Sequence, residues 1–171
     1  MGDGLDAVRI AWDDADADDR RRTSRRLIDA LLPGAVVRSG PCARCGGSHG
    51  RPRVEDIAAE ISVAYAGRRA YAASVPRSHA VSLGIDAEEG DDRSPAGVER
   101  MRPATTLRDW TRIEAALKAD GRGLAVDPAL VRIDGGPDAW TATLPGRPTP
   151  IVGRDVPGPP GVVLSVAIAP E

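Results

Sequence analysis

Aromatic residues are scarce in this sequence, which has no phenylalanine and only three tryptophans and two tyrosines among 171 residues. Proteins that bind single-stranded nucleic acids stack the bases on aromatic rings, so this scarcity disfavours that class. The net charge is only −2, and no strong positive charge points to binding of a polyanion. We therefore expect a protein without a nucleic-acid partner.

Long hydrophobic stretches are also missing. No apolar run approaches the roughly 20 residues that cross a bilayer. Residues 1–19 are acidic, whereas a secretory signal peptide begins with basic residues. These features disfavour membrane insertion and secretion, and they predict a cytoplasmic location. With 42% hydrophobic and 28% charged residues, the chain has a globular composition and the length of one domain or two closely packed halves.

Cysteine and histidine are few. Cys42 and Cys45 form a C-x-x-C pair, and His49 and His79 are the two histidines. A structural zinc site needs four ligands, so a Cys2His2 site is arithmetically available, although its spacing matches no common zinc finger. A redox C-x-x-C normally opens a helix, whereas glycines follow here. The alternative is a glycine-rich turn that carries two reduced thiols in a cytosolic protein.

Hydrophobic periodicity predicts a mixed α+β fold with more strand than helix. One helix is predicted at residues 23–32 and a second at 107–120, with Thr105 or Thr106 as its N-cap and Gly121 as its stop signal. Strands are predicted at residues 8–12, 35–37, 61–65, 70–75, 81–88, 130–133, 139–144, 149–152 and 162–168. Six prolines between residues 144 and 161 predict that any strand there lies at a sheet edge.

Two acidic residues lie two positions apart in the strand predicted at residues 81–88. Asp86 and Glu88 leave the same face of this strand, about 6.6 Å apart at a rise of about 3.3 Å per residue. Two carboxylates at this spacing can approach one cation, and oxygen ligands suit Mg²⁺. The alternative is an exposed acidic face on an edge strand.

The second predicted helix carries a charged pair on its apolar face. At about 100° per residue, Glu114 and Lys118 fall within the same arc as Leu107, Trp110 and Leu117. Burial of an unpaired charge costs several kcal/mol, so we expect a partly buried cluster that faces a cleft. The alternative is an exposed i,i+4 ion pair worth about 0.3–0.5 kcal/mol, which leaves the flanking apolar residues unexplained.

Both segments resemble motifs of a known enzyme family. Residues 83–88, LGIDAE, are similar to the G-[IV]-D-x-E strand of 4′-phosphopantetheinyl transferases, and residues 110–118, WTRIEAALK, to their W-[ST]-x-K-E-[AS]-x-x-K helix. Weaker matches lie at residues 25–32, 49–52, 121–124 and 159–167. Because the matches follow the family's order along most of the chain, the sequence resembles a shortened member of the surfactin-type branch.

The resemblance implies a fold and an activity. Such enzymes are monomers with two pseudo-symmetric αβ halves, here residues 1–79 and 80–171, and the second half carries the metal and catalytic motifs. With Mg²⁺, they transfer the 4′-phosphopantetheine arm of coenzyme A to a serine hydroxyl of an acyl or peptidyl carrier protein. Adenosine 3′,5′-bisphosphate is released.

The family's catalytic roles carry over to four positions of this sequence. Under the resemblance, Asp86, Glu88 and Glu114 hold Mg²⁺ on the pyrophosphate of coenzyme A. Glu114 also accepts the proton of the carrier serine, directly or through water, and Lys118 neutralises phosphate charge. Attack at phosphorus depends mainly on positioning and charge neutralisation, which a metal ion and a lysine provide. A carboxylate beside a cation ordinarily has a lowered pKa and stays ionised, so it can accept a proton.

The resemblance also assigns two arginines to substrate binding. Arg25 and Arg51 are expected to contact the adenosine 3′-phosphate end of coenzyme A. The residues alone leave other interpretations open, because Arg25 fits an exposed helix face and Arg51 fits a charged loop. Trp110 likewise fits a core position better than a ligand contact.

The sequence departs from the family pattern at several positions. Ile113 stands where the family has lysine, and Ala64-Tyr65 stands where it has a Ser-His pair that contacts coenzyme A. Only 21 residues separate Glu88 from Trp110, fewer than in many surfactin-type members. A second hypothesis is therefore a degenerate, non-catalytic member that binds coenzyme A or a carrier protein. A third is a small interaction module stabilised by zinc at the C-x-x-C pair.

Overall fold

A computed structural model of the chain describes residues 3–15, 19–41, 46–47, 50–90 and 106–170. The described helices are α1 (Asp3–Asp6), α2 (Arg20–Leu31) and α3 (Leu107–Asp120), with short 3₁₀ turns at Gly123–Ala125 and Pro128–Leu130. The described strands are β1 (Arg9–Asp14), β2 (Val37–Ser39), β3 (Pro52–Val54), β4 (Ala59–Ala66), β5 (Arg69–Pro76), β6 (Ser82–Glu89), β7 (Arg132–Gly135), β8 (Trp140–Thr143), β9 (Ile151–Asp155) and β10 (Val162–Ala169). Cys42, Cys45 and His49 lie outside the described residues, so the zinc hypothesis stays a prediction.

The strands form antiparallel sheets, and the protein is a mixed α and β fold with more strand than helix. Sheet 1 has the order β1-β5-β4, sheet 2 has the order β6-β10-β9-β8-β7, and β2 pairs with β3. Antiparallel pairing with separate helices is the arrangement of an α+β fold, as the periodicity predicts. The chain passes from sheet 1 to sheet 2 between β5 and β6, a segment that includes residue 79.

Each large sheet is covered by a helix on one face and by the other sheet on its second face. Alternation along β5 illustrates this, because Ala70 and Ala72 pack under α2 whereas Tyr71, Ala73 and Val75 face sheet 2. The central core between the sheets adds the apolar residues of β6 and β10, which are Leu83, Ile85, Ala87, Leu164, Val166 and Ile168. Full burial of one such leucine or isoleucine stabilises the fold by about 1.5–3 kcal/mol.

The α3 helix begins and ends where the sequence predicts. Thr106 Oγ1 accepts a hydrogen bond from the Asp109 amide at 3.1 Å, and Asp109 Oδ2 accepts one from the Thr106 amide at 3.3 Å. This reciprocal capping box satisfies two amides at the helix start. Gly121 ends the helix with φ of 83°, a left-handed conformation that glycine adopts without strain. None of the described helices is both long enough and apolar enough to cross a bilayer.

The prediction that a strand between residues 144 and 161 lies at a sheet edge is wrong. β9 (Ile151–Asp155) lies inside sheet 2, between β10 and β8. All six prolines of this segment flank the strand, at positions 145, 148, 150, 157, 159 and 160. The strand therefore keeps every backbone N–H that pairing on both sides requires.

Candidate active site

The face of β6 that carries Asp86 lies directly under α3. Gly84 is two residues earlier on the same face, and a Cβ atom there would lie 2.0 Å from the backbone oxygen of Ala115. Any other residue at position 84 would push the helix backbone away from the strand. This glycine thus permits the close approach that brings Lys118 of α3 into contact with Asp86 of β6.

Asp86 and Lys118 form a largely buried ion pair. Lys118 Nζ donates to Asp86 Oδ1 at 2.6 Å and to the backbone oxygen of Ile85 at 3.0 Å. The second carboxylate oxygen, Asp86 Oδ2, is buried and has no hydrogen-bond partner. Burial raises the pKa of Asp86, and the nearby ammonium of Lys118 opposes this effect without cancelling it. The unpaired oxygen can accept a proton or bind a cation.

Glu88 and Glu114 belong to the same electrostatic neighbourhood. Burial raises the pKa of each, and the charge of Asp86 raises it further. For Glu88, a hydrogen bond from the indole of Trp110 works in the opposite direction, and Glu114 adds a further repulsion. The structure thus brings Asp86, Glu88, Glu114 and Lys118 together where β6 meets α3.

The donor set fits a hard divalent cation, although the observed rotamers do not form a finished metal site. Across residues 3–15, 19–41, 46–47, 50–90 and 106–170, no group of three or more His, Cys, Asp or Glu side chains is arranged to hold a metal ion. The chemistry of the set suits Mg²⁺, since it offers carboxylate oxygens and includes the unpartnered Asp86 Oδ2. An ion shared by Asp86, Glu88 and Glu114 therefore requires side-chain conformations other than those observed.

Arg51 connects the two sheets at the carboxyl end of α3. Its Nη1 donates to the backbone oxygen of Lys118 at 3.0 Å, and its Nη2 donates to Ser82 Oγ at 3.0 Å and the backbone oxygen of Leu83 at 2.9 Å. Burial lowers the pKa of Arg51, and the charge of Glu60 opposes the change. Arg51 thus satisfies one carbonyl group in the last turn of α3 and one in β6, and it holds the two elements together. Its predicted contact with coenzyme A stays a prediction.

Two adjoining cavities lie between α2 and the end of α3. The first, of about 340 Å³, is lined by residues that include Arg51, Leu117 and Lys118. The second, of about 230 Å³, is lined by residues that include Arg21 and Arg25. Both are also lined by Gly50, Pro52 and Val63, so they share a wall. Together they form a groove with arginines at one end and the Lys118 side chain at the other.

The structure shows the surroundings of two positions at which the sequence departs from the motifs that it resembles. Tyr65 lies in the cavity beside Arg25, and its hydroxyl shares a 2.9 Å hydrogen bond with Ser24 Oγ. A polar hydroxyl therefore occupies the position where the family has histidine. Ile113 is buried in the core beneath α3, so position 113 packs against apolar neighbours in this chain.

Sequence analysis missed a second buried charge cluster on the same helix. Arg112 lies outside the arc that Glu114 and Lys118 share, yet it is buried and forms a 2.7 Å ion pair with Asp155 of β9. The partners are 43 residues apart, so no local pattern could pair them. The available signal was Asp155 itself, a carboxylate at the end of a short apolar strand.

No family model matches the chain, and a search of curated proteins likewise found no match.

Proposed function

We propose that this chain is a Mg²⁺-dependent 4′-phosphopantetheinyl transferase that modifies a serine of an acyl or peptidyl carrier protein. The observation that carries the proposal is the Lys118–Asp86 contact, with Glu88 and Glu114 beside it. It joins in space the two segments that most resemble this family. We propose further that the two sheets, each with its helix, are the family's pseudo-symmetric halves, and that the enzyme acts as a cytoplasmic monomer.

The proposed reaction forms one phosphate ester bond and breaks one pyrophosphate bond. The carrier serine oxygen attacks the phosphorus that bears the pantetheine arm, and adenosine 3′,5′-bisphosphate leaves. Glu114 accepts the serine proton directly or through water. When bound by Asp86, Glu88 and Glu114, Mg²⁺ supplies charge neutralisation at the pyrophosphate. Lys118 contributes positive charge from the adjoining wall of the groove.

The groove supports coenzyme A as the second substrate. Arg25 and Arg21 line its far cavity, where the Ser24 and Tyr65 hydroxyls provide further hydrogen-bonding groups for a terminal phosphate. The cavity at its other end has Lys118 in its wall and therefore adjoins the acidic cluster. In this arrangement the nucleotide end binds near α2 and the pyrophosphate near α3, while Arg51 lies between them.

A carrier-modification assay tests the proposal directly. Purified protein, Mg²⁺, coenzyme A and apo-carrier proteins of fatty-acid, polyketide and peptide synthesis are incubated, and the carrier mass is measured. We expect a phosphopantetheine adduct on at least one carrier, and no adduct when Mg²⁺ is chelated. Absence of an adduct on every carrier type would contradict the proposal.

A substitution of the proposed base sharpens this test. Glu114→Gln should lower the transfer rate by about 10²–10⁴-fold while the protein stays folded, because glutamine cannot accept the proton. Glu89→Gln is the matched control, since Glu89 is an exposed carboxylate at the end of β6, and the rate of this variant should be unchanged. Near-normal turnover by the Glu114 variant would remove this residue from the mechanism.

A second candidate function is non-catalytic binding of coenzyme A or a carrier protein. The observation that favours it is the hydrogen bond from Lys118 Nζ to Asp86 Oδ1. Through this bond, Lys118 already supplies the positive charge that a metal ion would bring. Such a protein keeps the groove but lacks turnover. Calorimetry that detects coenzyme A binding, together with an unmodified carrier in the mass assay, would favour this function over transfer.

A further inference from the structure

The Asp155 side chain is only 6% exposed and accepts hydrogen bonds from four other side chains. Arg112 binds it in a bidentate manner, with Nε to Oδ1 at 3.0 Å and Nη2 to Oδ2 at 2.7 Å. Arg108 Nη1 donates to Oδ2 at 2.7 Å, Trp140 Nε1 to Oδ1 at 3.2 Å and Ser165 Oγ to Oδ1 at 2.9 Å. Both carboxylate oxygens are therefore fully engaged.

This cluster lies on the same row of the sheet as the candidate active site. Ser165 of β10 is directly opposite Asp86 of β6 on one side and Asp155 of β9 on the other. Side chains directly opposite in antiparallel strands share a face, so both aspartates point toward α3. Two strand spacings separate their backbones, which is about 10 Å.

Asp86 and Asp155, which lie in this row, each bind a different part of α3. Lys118, near its carboxyl end, binds Asp86 through a long flexible side chain that is 32% exposed. Arg108 and Arg112, one turn apart near its amino end, bind Asp155. The planar fork of Arg112 fixes direction as well as distance, which a lysine does not. Without the Asp155 contact, α3 could rotate about its Lys118 end.

A purely stabilising role does not account for this cluster. Replacement of a buried ion pair by apolar residues of similar volume is often neutral or stabilising, so such a pair is weak evidence of stability alone. Its distinctive property is geometry. Trp110 lies between the two arginines in sequence and next to Glu88 of β6, and Glu114 follows Arg112 by two residues. The rotation fixed by Asp155 therefore sets where Trp110 and Glu114 point.

We propose that Asp155 is a positioning residue that sets the rotation of α3 on sheet 2 and so holds Trp110 and Glu114 against the acidic end of β6. That the rotation of α3 matters for catalysis rests on the proposed transferase function. The positional effect itself does not, since it concerns contacts that exist without metal, coenzyme A or carrier protein.

The three tryptophan indoles provide a direct test by NMR. Trp140 donates to Asp155 and should respond directly to Asp155→Asn, whereas Trp12 is 47% exposed on β1 and should not respond. The Trp110 indole lies next to Glu88 and does not contact Asp155. We expect its N–H resonance to move toward that of Trp12 and its hydrogen exchange to accelerate at least about tenfold.

A matched control separates positioning from general destabilisation. Val166→Ala creates a cavity on the opposite face of β10, in the core between the sheets. It should lower stability while leaving the Trp110 resonance and exchange unchanged. A Trp110 signal that stays unchanged in Asp155→Asn, or that moves equally in Val166→Ala, would overturn the proposal.

A second variant covers the case in which Asp155→Asn does not fold. Arg112→Lys keeps the positive charge but loses the bidentate geometry, so it should produce the same Trp110 response in a milder form. No response in that variant would also overturn the proposal. Where carrier transfer is measured, both variants should lower kcat about tenfold or more with little change in the KM for coenzyme A. Failure of transfer in the unmodified protein leaves the Trp110 result valid.

Discussion

Two buried aspartates on either side of Ser165 have opposite chemical characters. Asp155 lies among Arg112, Arg108, Trp140 and Ser165, and their hydrogen bonds together outweigh burial and lower its pKa. Asp86 has the same register and lies on the same sheet face, yet it has one charged partner and an oxygen with none. Burial consequently prevails there, and the pKa of Asp86 is raised.

The comparison shows how strongly hydrogen-bond partners change what a carboxylate inside the fold can do. A carboxylate with all its acceptor sites filled is a fixed anion that anchors the arginines around it. One with an unfilled site remains able to take up a proton or a cation, and such groups are typical of functional sites. Asp155 is therefore the proposed anchor of α3, whereas Asp86 keeps an oxygen that can take up a proton or a cation.

The largest expected effect comes from removing the anchor. Asp155→Ala leaves Arg112 buried without its partner, and it should lower the free energy of unfolding by about 3–5 kcal/mol in chemical denaturation. Asp6→Ala is the control. It breaks the ion pair between exposed Asp6 of α1 and Arg154, which precedes Asp155 on β9. That change should cost at most about 1 kcal/mol. Similar small losses in both variants would contradict the anchor role.

Substitution of Asp86 should lower the transfer rate strongly and the stability little, whereas substitution of Asp155 should mainly lower the stability. Asp86→Asn removes a proposed metal ligand, and we expect the rate of carrier modification to fall at least about 100-fold. The free energy of unfolding should stay the same or rise at neutral pH, because a buried, incompletely paired charge is removed. Transfer assays and urea denaturation on the same preparation measure both quantities. A loss of stability as large as that of Asp155→Ala would contradict the claim that Asp155, and not Asp86, anchors α3.

Substitution of Ser165 tests whether its hydroxyl group matters more for Asp155 or for Asp86. Ser165→Ala removes one hydrogen bond to Asp155 Oδ1, so the free energy of unfolding should fall by about 1 kcal/mol. Transfer should decline less than tenfold, because Asp155 retains its two arginines and Trp140. A much larger loss of transfer, with unchanged stability, would assign Ser165 to the Asp86 site instead.

The pH dependence of stability should be the smallest effect and should separate the two kinds of carboxylate by sign. The raised pKa values of Asp86, Glu88 and Glu114 mean that the folded protein binds their protons more tightly than the unfolded chain. Their contribution to stability is therefore greatest below the ordinary carboxyl pKa of about 4 and is lost as pH rises through the raised values. The lowered pKa of Asp155 gives the opposite dependence, with stability lost as pH falls below about 4.

Urea denaturation between about pH 7 and pH 5 measures this balance. The metal-free protein should gain stability over this interval as the pH falls, and Asp86→Asn should gain less because one of the three groups is gone. Saturating Mg²⁺ should reduce the gain, since an ion that binds the ionised carboxylates opposes their protonation. A steady fall in stability from neutral pH downward would contradict the raised pKa values.

Local features of the fold were predictable because their causes are local. The capping box of Thr106 and Asp109 and the glycine stop at Gly121 lie within one helix, and the structure confirms both bounds of α3. The strands predicted at residues 61–65 and 70–75 are present as β4 and β5, which form a hairpin that turns at Gly67. In contrast, the position of β9 inside sheet 2 depends on which strands flank it, and prolines outside the strand gave the wrong prediction.

The candidate site was predictable only in part for the same reason. The two-residue spacing of Asp86 and Glu88, and the shared arc of Glu114 and Lys118, follow from strand and helix geometry. The assignment of Lys118 to Asp86, rather than to Glu114 on its own helix, depends on the approach of α3 over Gly84. The engagement of Arg51 by the end of α3 likewise needs the two sheets in place.

The sequence by itself determined the two long helices, most of the strands, and which acidic and basic side chains share a face, but it did not predict α1 or β3. Only the tertiary structure decided that Asp155 is saturated with partners whereas Asp86 keeps an unpaired oxygen. The physical reason is that backbone periodicity is set by near neighbours in the chain. The pKa of a buried charge is set by whatever groups other strands and helices bring within hydrogen-bonding distance.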